Sequence, residues 1–305
     1  MLKRFLPFVL LGSLALLTAC STSSDKKKEE KFVSEADLYH AAEEQLEHEQ
    51  WETSVKNLQK LEESFPFGAY AEQGQLELIY AYYNFNKPDE AIATANRFIR
   101  LHPQHRNVDY AYYMMGMSSF TKDKGMFERV MPTDMTKRDP GAARESLANF
   151  TQLLNRFPDS TYAADAKKRM LFLRNVLARY EIHVANYYFK RQAYVAAVSR
   201  GRYVIENYPQ TPAIPDALAV MVQGYHLLGM QDRSNETLEV LRTNYPNFPA
   251  FTKKGDFDYD YANHNEDRNL FGTLTFGLFS KHDIIGFDTR ELYDAEYQKA
   301  PRVKN

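Results

Sequence analysis

SLANFTQLLNRFP, residues 146–158, reads as a helix with a built-in stop. Ser146 leads, Phe150 and Leu153 follow at helical spacing, and Phe157 is forced out of the α region by Pro158 behind it. The same pattern recurs four times. Phe65-Pro66, His102-Pro103, Tyr208-Pro209 and Tyr245-Pro246 also set an aromatic or His before proline. Twelve residues before the five prolines stand Ser54, Ala91, Ser146, Ala197 and Ser234, all small. Eight before stand Leu58, Ala95, Phe150, Gly201 and Leu238, and five before stand Leu61, Phe98, Leu153, Val204 and Leu241. Each unit is thus a helix whose small residue admits a neighbour, whose apolar stripe packs inward and whose proline ends it.

A second helix precedes each of these. Tyr82, Tyr188 and Tyr225 stand 21 residues before three of the prolines, where the tetratricopeptide pattern carries an aromatic. The expected fold is all-α, a tetratricopeptide-like superhelical solenoid of about five helix pairs. Proline spacings of 37, 55, 51 and 37 exceed the plain repeat of about 34 residues, so the units are elongated or interrupted. Residues 122–139 read as a loop closed by Asp139 as N-cap with Pro140 at the first helical position. Thr211-Pro212 is expected to open a helix, and Asn86-Lys87-Pro88-Asp89 to bridge two. From Tyr162 to Lys190 neither Pro nor Gly interrupts the helical pattern, which predicts one helix about 40 Å long.

Composition agrees with a helical chain. Only 13 Gly and 13 Pro occur in 305 residues, against 21 Tyr and 20 Phe. With 38 Lys+Arg against 40 Asp+Glu and a net charge of −2, the chain lacks the basic footprint of a nucleic-acid binder. Its single cysteine excludes an internal disulfide and a cysteine-based zinc site.

That cysteine has another expected use. Lys3 and Arg4 precede the apolar run Phe5 to Leu17, thirteen residues and too short for a bilayer span of about 20. The run ends Leu17-Thr18-Ala19-Cys20, which resembles the lipobox of bacterial lipoprotein precursors. That resemblance implies cleavage before Cys20 and lipidation of it, with several acyl chains at about 0.8 kcal/mol per buried CH₂ giving stable attachment. Ser21 follows, where an Asp would resemble the inner-membrane retention signal of that family, so the resemblance implies the periplasmic face of the outer membrane. The expected organisation is a signal peptide over 1–19, a polar tether over 20–31, the solenoid over 32–249 and a mostly irregular extension over 250–305. In the extension, the apolar run LFGTLTFGLF (270–279) is expected to dock back on the solenoid or to meet a partner.

Catalytic and cofactor motifs are missing from the sequence. It has no Gly-rich phosphate loop, no His-Glu-x-x-His and no nucleophile elbow, so neither an enzyme nor a cofactor is expected. His102 and His105 flank a helix turn and read as solvated rather than metal-ligating. Asp256, Asp258 and Asp260 alternate like a calcium loop, but Tyr261 stands where the sharp turn needs Gly. The carboxylates of Asp37 to Glu49 read as the wet face of a helix.

Surface is what remains. The segments 65–70 (FPFGAY), 78–83 (LIYAYY) and 110–113 (YAYY) carry more aromatics than one helix face can bury. With Met114, Met115 and Met117 they are expected to form an adaptable apolar binding surface. Several segments, among them SFPFGAY, LELIYAYYN, RFIRLHP, VDYAYYM, RDPGAAR and RMLFLRNVLARYE, resemble the ComL/YfiO (BamD) family of outer-membrane assembly lipoproteins over residues 20–246. The resemblance implies an adaptor that holds the BamA barrel subunit and smaller Bam lipoproteins and touches the C-terminal signal of unfolded outer-membrane proteins. It implies substrate contact at Phe65, Phe67, Tyr70, Tyr80 and Tyr83, and BamA contact at Arg200. Arg200 is expected to point away from tight packing, beside Arg191 and Arg202 in a basic patch. A different periplasmic tetratricopeptide scaffold, for instance one coordinating peptidoglycan synthesis, is the alternative that the generic repeat permits.

Overall fold

The computed structural model describes residues 34–122, 134–262 and 286–289. Among them are ten α-helices: α1 (Glu35–Glu47), α2 (Trp51–Ser64), α3 (Ala71–Asn84), α4 (Pro88–Leu101), α5 (Val108–Thr121), α6 (Gly141–Arg156), α7 (Ala163–Lys190), α8 (Tyr194–Asn207), α9 (Ile214–Leu227) and α10 (Gln231–Asn244). They form five antiparallel pairs in chain order, the solenoid that the repeat predicts. A 3₁₀ turn, Met135–Lys137, precedes α6 and packs on α7. Each helix packs on its sequence neighbours, and α3 also touches α5 as α7 touches α9. The first helices of successive pairs therefore lie side by side.

The second helix of every pair ends in one geometry. Phe65, His102, Phe157, Tyr208 and Tyr245 hold φ between −126° and −136° and ψ between 48° and 65°, as the proline behind each demands. Each N–H still donates to the carbonyl four residues back, at 2.8–2.9 Å, and each carbonyl accepts from the N–H three residues on. Inside four of the pairs the turn is closed by a left-handed residue, Glu49, Asn86, Gln192 or Gly229. Asn86 thus bridges α3 and α4 as expected.

Two of the three repeat positions explain the packing. Ser54, Ala91, Ser146, Ala197 and Ser234 are wholly buried. The serines also donate across the pair: Ser54 Oγ to the Ala42 carbonyl at 3.2 Å, Ser146 Oγ to Gly116 at 2.8 Å and Ser234 Oγ to Val222 at 3.0 Å. A small side chain lets the helices approach, and the hydroxyl adds a bond of about 1 kcal/mol. Leu61, Phe98, Leu153, Val204 and Leu241 form the buried spine.

Two helix starts differ from the sequence reading. Pro140 is the residue before α6 rather than its first, and Asp139 Oδ1 accepts the Gly141 N–H at 3.1 Å. Thr211-Pro212 lies ahead of α9, which starts at Ile214 with Pro215 in its first turn. Thr211 Oγ1 instead donates back to the Tyr208 carbonyl, so its side chain serves the preceding turn. The 28 residues of α7 make one helix, as its uninterrupted pattern predicts.

The Met114, Met115 and Met117 side chains do not line a surface. All three are buried in the central core, because α5 is flanked by α4, α6 and α3 and is apolar on nearly every side. Cys20 and the run 270–279 lie outside the described residues.

After α10 the described residues 245–262 fold back on the solenoid without helix. Phe251 and Phe257 form an antiparallel bridge, Gln223 Nε2 donates to the Tyr259 carbonyl at 2.7 Å, and Tyr259 stacks on His226. Phe248, Phe257 and Phe287 join Leu218, Val222 and Leu241 in a second core that covers α9. Asp258 accepts the Asp260 N–H at 2.9 Å, so this aspartate serves a local turn.

Candidate functional site: aromatic and arginine surfaces

The five aromatics singled out for peptide contact separate into two groups. Phe67 projects from the turn between α2 and α3 and is 98% exposed. Tyr80, on α3, is 41% exposed and meets Trp51 edge-on at 5.8 Å. Phe65, Tyr70 and Tyr83 are half-buried. Phe65 caps α2 and packs with the α1–α3 core, Tyr70 stacks on Tyr39 with ring centroids 4.4 Å apart, and Tyr83 leans on the central core. They are not one open groove; Phe67 and Tyr80 are the exposed members.

Between these rings sits a carboxylate that the sequence reading passed over. Glu77 Oε1 accepts from the Tyr39 hydroxyl at 2.7 Å and from Gln73 Nε2 at 2.8 Å. Its Oε2 is buried with no hydrogen-bond partner among the described residues. Burial pushes the Glu77 carboxyl above its usual range, against the lowering pull of Gln73 and Tyr39. Burial beside Glu77 likewise drives the Tyr39 hydroxyl far up.

The aromatic row continues across the first helices. Tyr110 lies 5.7 Å and Tyr113 4.7 Å from Tyr162 between ring centroids. Tyr113 donates to Asp165 at 2.8 Å, and Asp165 also pairs with Arg169. Burial, then the bond to Asp165, pushes the Tyr113 hydroxyl up to about 12. The row is therefore a strip of neutral hydroxyls and paired charges, suited to polar backbone as well as to apolar side chains. Near it, His102 Nδ1 lies 3.1 Å and His105 Nε2 3.6 Å from Glu72, a carboxylate partner that the solvated reading of these histidines did not include.

Arg200 is not the free cation that its position suggested. Its Nη1 lies 2.8 Å from Oε2 of Glu181 on α7, whose side chain is 2% exposed. Arg144 of α6 approaches the other oxygen at 3.4 Å, so two half-exposed guanidinia share one buried carboxylate. One positive charge is left over at this surface. The expected neighbours are engaged too: Arg202 donates to the Tyr225 hydroxyl at 2.8 Å and Arg191 lies over the Tyr187 ring. Glu181 was not visible as a partner because nothing in the sequence pairs positions on different helices.

The sequence pattern of the YfiO outer membrane lipoproteins matches residues 32–241, from before α1 into α10. The chain belongs to that family. It is 38% identical over 254 residues to the outer membrane protein assembly factor BamD of Neisseria meningitidis serogroup A, covering 82% of this chain and 94% of the relative. The protein of the same name from Vibrio cholerae is 36% identical over 234 residues, 77% of this chain and 96% of its own. Among solved structures, MamA superposes with a TM-score of 0.34 at 13% identity, over 70% of this chain and 92% of that one. No helix among the described residues is long and apolar enough to cross a membrane.

Proposed function

We propose that this chain is a lipid-anchored, periplasm-facing adaptor of the outer-membrane β-barrel assembly machinery. In this reading it works by binding, without catalysis, and its partners are the BamA barrel subunit, smaller Bam lipoproteins and unfolded outer-membrane proteins. The observation that carries the reading is the family match, which spans nearly the whole ten-helix solenoid. Two surfaces support it in detail. Phe67 and Tyr80, with the neutral hydroxyl strip beside them, suit an extended strand with aromatic side chains. The Arg144–Glu181–Arg200 cluster offers an unspent positive charge to a partner carboxylate. Attachment through Cys20 would hold both in the periplasm.

Affinity purification of the tagged chain from detergent-solubilised envelopes tests this. The expected result is co-elution of a large outer-membrane barrel protein with periplasmic domains. Recovery of peptidoglycan synthases in its place would overturn the assignment.

A further inference from the structure

Four residues of the C-terminal extension enter the core from a distance. Phe287 is wholly buried, yet 23 residues, 263–285, separate its segment from Ala262. Its ring meets Phe189 of α7 at 6.1 Å, Phe257 at 6.2 Å and Tyr261 at 5.9 Å. The slot is otherwise polar. Asn186 Oδ1 accepts the Phe287 N–H at 3.2 Å, and Asp216 Oδ1 of α9 accepts the Thr289 N–H at 3.2 Å and the Thr289 hydroxyl at 2.7 Å. Arg179, fully buried on α7, pairs with the other oxygen of Asp216 and lies 3.5 Å from Asp288. Gly286 is demanded twice over. Its φ is +89°, and a Cβ there would sit 2.3 Å from Asn186 Oδ1.

We propose that this slot between α7 and α9 is a peptide-binding site for a Gly-aromatic-Asp-Thr segment, and that Gly286–Thr289 occupies it as an exchangeable intramolecular ligand. Every one of the four residues meets its own feature of the receptor. Gly fits the approach to Asn186, the aromatic fills the pocket, Asp faces Arg179 and Thr satisfies Asp216. Two of the bonds are made to main-chain amides, the mode by which folded domains read short extended motifs. The polar receptor groups come from α7 and α9, while two of the three pocket rings, Phe257 and Tyr261, come from the segment after α10. Arg179 also donates to the Pro212 carbonyl at 3.0 Å, so the Arg179–Asp216 pair is held by the solenoid itself. A ligand on the same chain competes at an effective concentration on the order of millimolar, so even a weak site stays filled. A partner segment of the same chemistry would have to displace it.

A fluorescent peptide spanning residues 285–290, Ile-Gly-Phe-Asp-Thr-Arg, tests the exchange on the full chain. The double variant Gly286→Ala, Phe287→Ala should capture the peptide at least tenfold more tightly than the wild type does. Replacing Thr by Val in the peptide should abolish most of that gain. Equal binding to both chains, or no binding to a variant with wild-type circular dichroism, would overturn the proposal. Should the variant fail to fold, the wild type decides. The Phe287 and Thr289 amides should be protected from hydrogen exchange and lose protection in excess peptide. Protection unchanged at millimolar peptide would show a fixed element of the fold, not a ligand. Dimerisation of the wild type that the double variant loses would put the segment in a second copy's slot, and overturn the intramolecular assignment.

Discussion

Arg200 on α8 reaches across a helix seam to Glu181 on α7, 2.8 Å from a carboxylate that is almost completely enclosed. An arginine proposed to meet a partner is thereby also part of the fold. Arg200→Glu would set a second carboxylate against Glu181, leaving Arg144 to serve both. The expected result is a melting temperature lowered by about 5 °C or more, since losing a hydrogen bond to a charge costs about 1–3 kcal/mol before repulsion is added. Arg200→Met should cost less and still weaken binding to the periplasmic domains of BamA about tenfold. Calorimetry on both variants, with affinity corrected for the folded fraction, checks this. Equal melting temperatures for wild type and Arg200→Glu would mean the pair does not form in solution.

Phe67 and Phe65 stand two residues apart and should behave oppositely. Phe67 is 98% exposed, so Phe67→Ala should leave the melting temperature within about 1 °C while weakening a peptide that ends in a barrel signal by about 1–3 kcal/mol. Phe65 packs with the α1–α3 core, so Phe65→Ala should lower the melting temperature and spare affinity per folded molecule. Fluorescence anisotropy and thermal scans on one preparation of each separate the two effects.

These contrasts show which parts of the molecule were legible in advance. The five proline stops were, because the clash between a proline ring and the preceding residue is local and acts the same at Phe65 as at Tyr245. The buried small residues were legible too, since Ser146 and its counterparts keep a constant distance from those stops. The fate of Met114, Met115 and Met117 was only partly so: α5 is apolar on nearly every side, which signals burial, but that α3, α4 and α6 supply the cover depends on tertiary packing. Arg200 and Glu181 lie 19 residues apart, and Thr289 and Asp216 73 apart, so both pairings depend on tertiary geometry. Asp216 alone reads as an ordinary acid in a helix's first turn.

Gly116 and Phe150 meet closely across the seam of the middle pair. A Cβ on Gly116 would sit 2.5 Å from the Phe150 ring, next to the bond from Ser146 Oγ to the Gly116 carbonyl. Gly116→Ala should therefore destabilise by about 1–3 kcal/mol through overpacking. Adding Phe150→Leu should recover part of that loss in a double-mutant cycle of urea unfolding. Strict additivity would show that the two side chains do not compete for space.

Anchoring is expected to rest on Cys20. Cells producing Cys20→Ala should yield an uncleaved or mislocalised chain that incorporates no labelled palmitate. Labelling at the wild-type level would exclude Cys20 as the lipidated residue.

Glu77 gives the solenoid a pH dependence whose sign can be worked out. Burial raises its carboxyl above the usual range in the folded chain, with Glu43 adding to the rise and Gln73 and Tyr39 opposing it. The folded state therefore holds its proton to higher pH than the unfolded state does, and ionisation costs stability. Below about pH 4.5 both states are protonated and the cost is absent. It grows as pH rises from there through the elevated folded value, and is fully present above it. In Glu77→Gln the neutral side chain can still accept from Tyr39 and Gln73 but cannot ionise. Any fixed cost of the substitution cancels when the variant is compared with wild type across pH. Relative to its own value at pH 4, the melting temperature of Glu77→Gln should rise against that of the wild type by pH 8. A gain in the opposite direction would mean that the Tyr39 and Gln73 donors outweigh burial and hold Glu77 ionised in the folded chain.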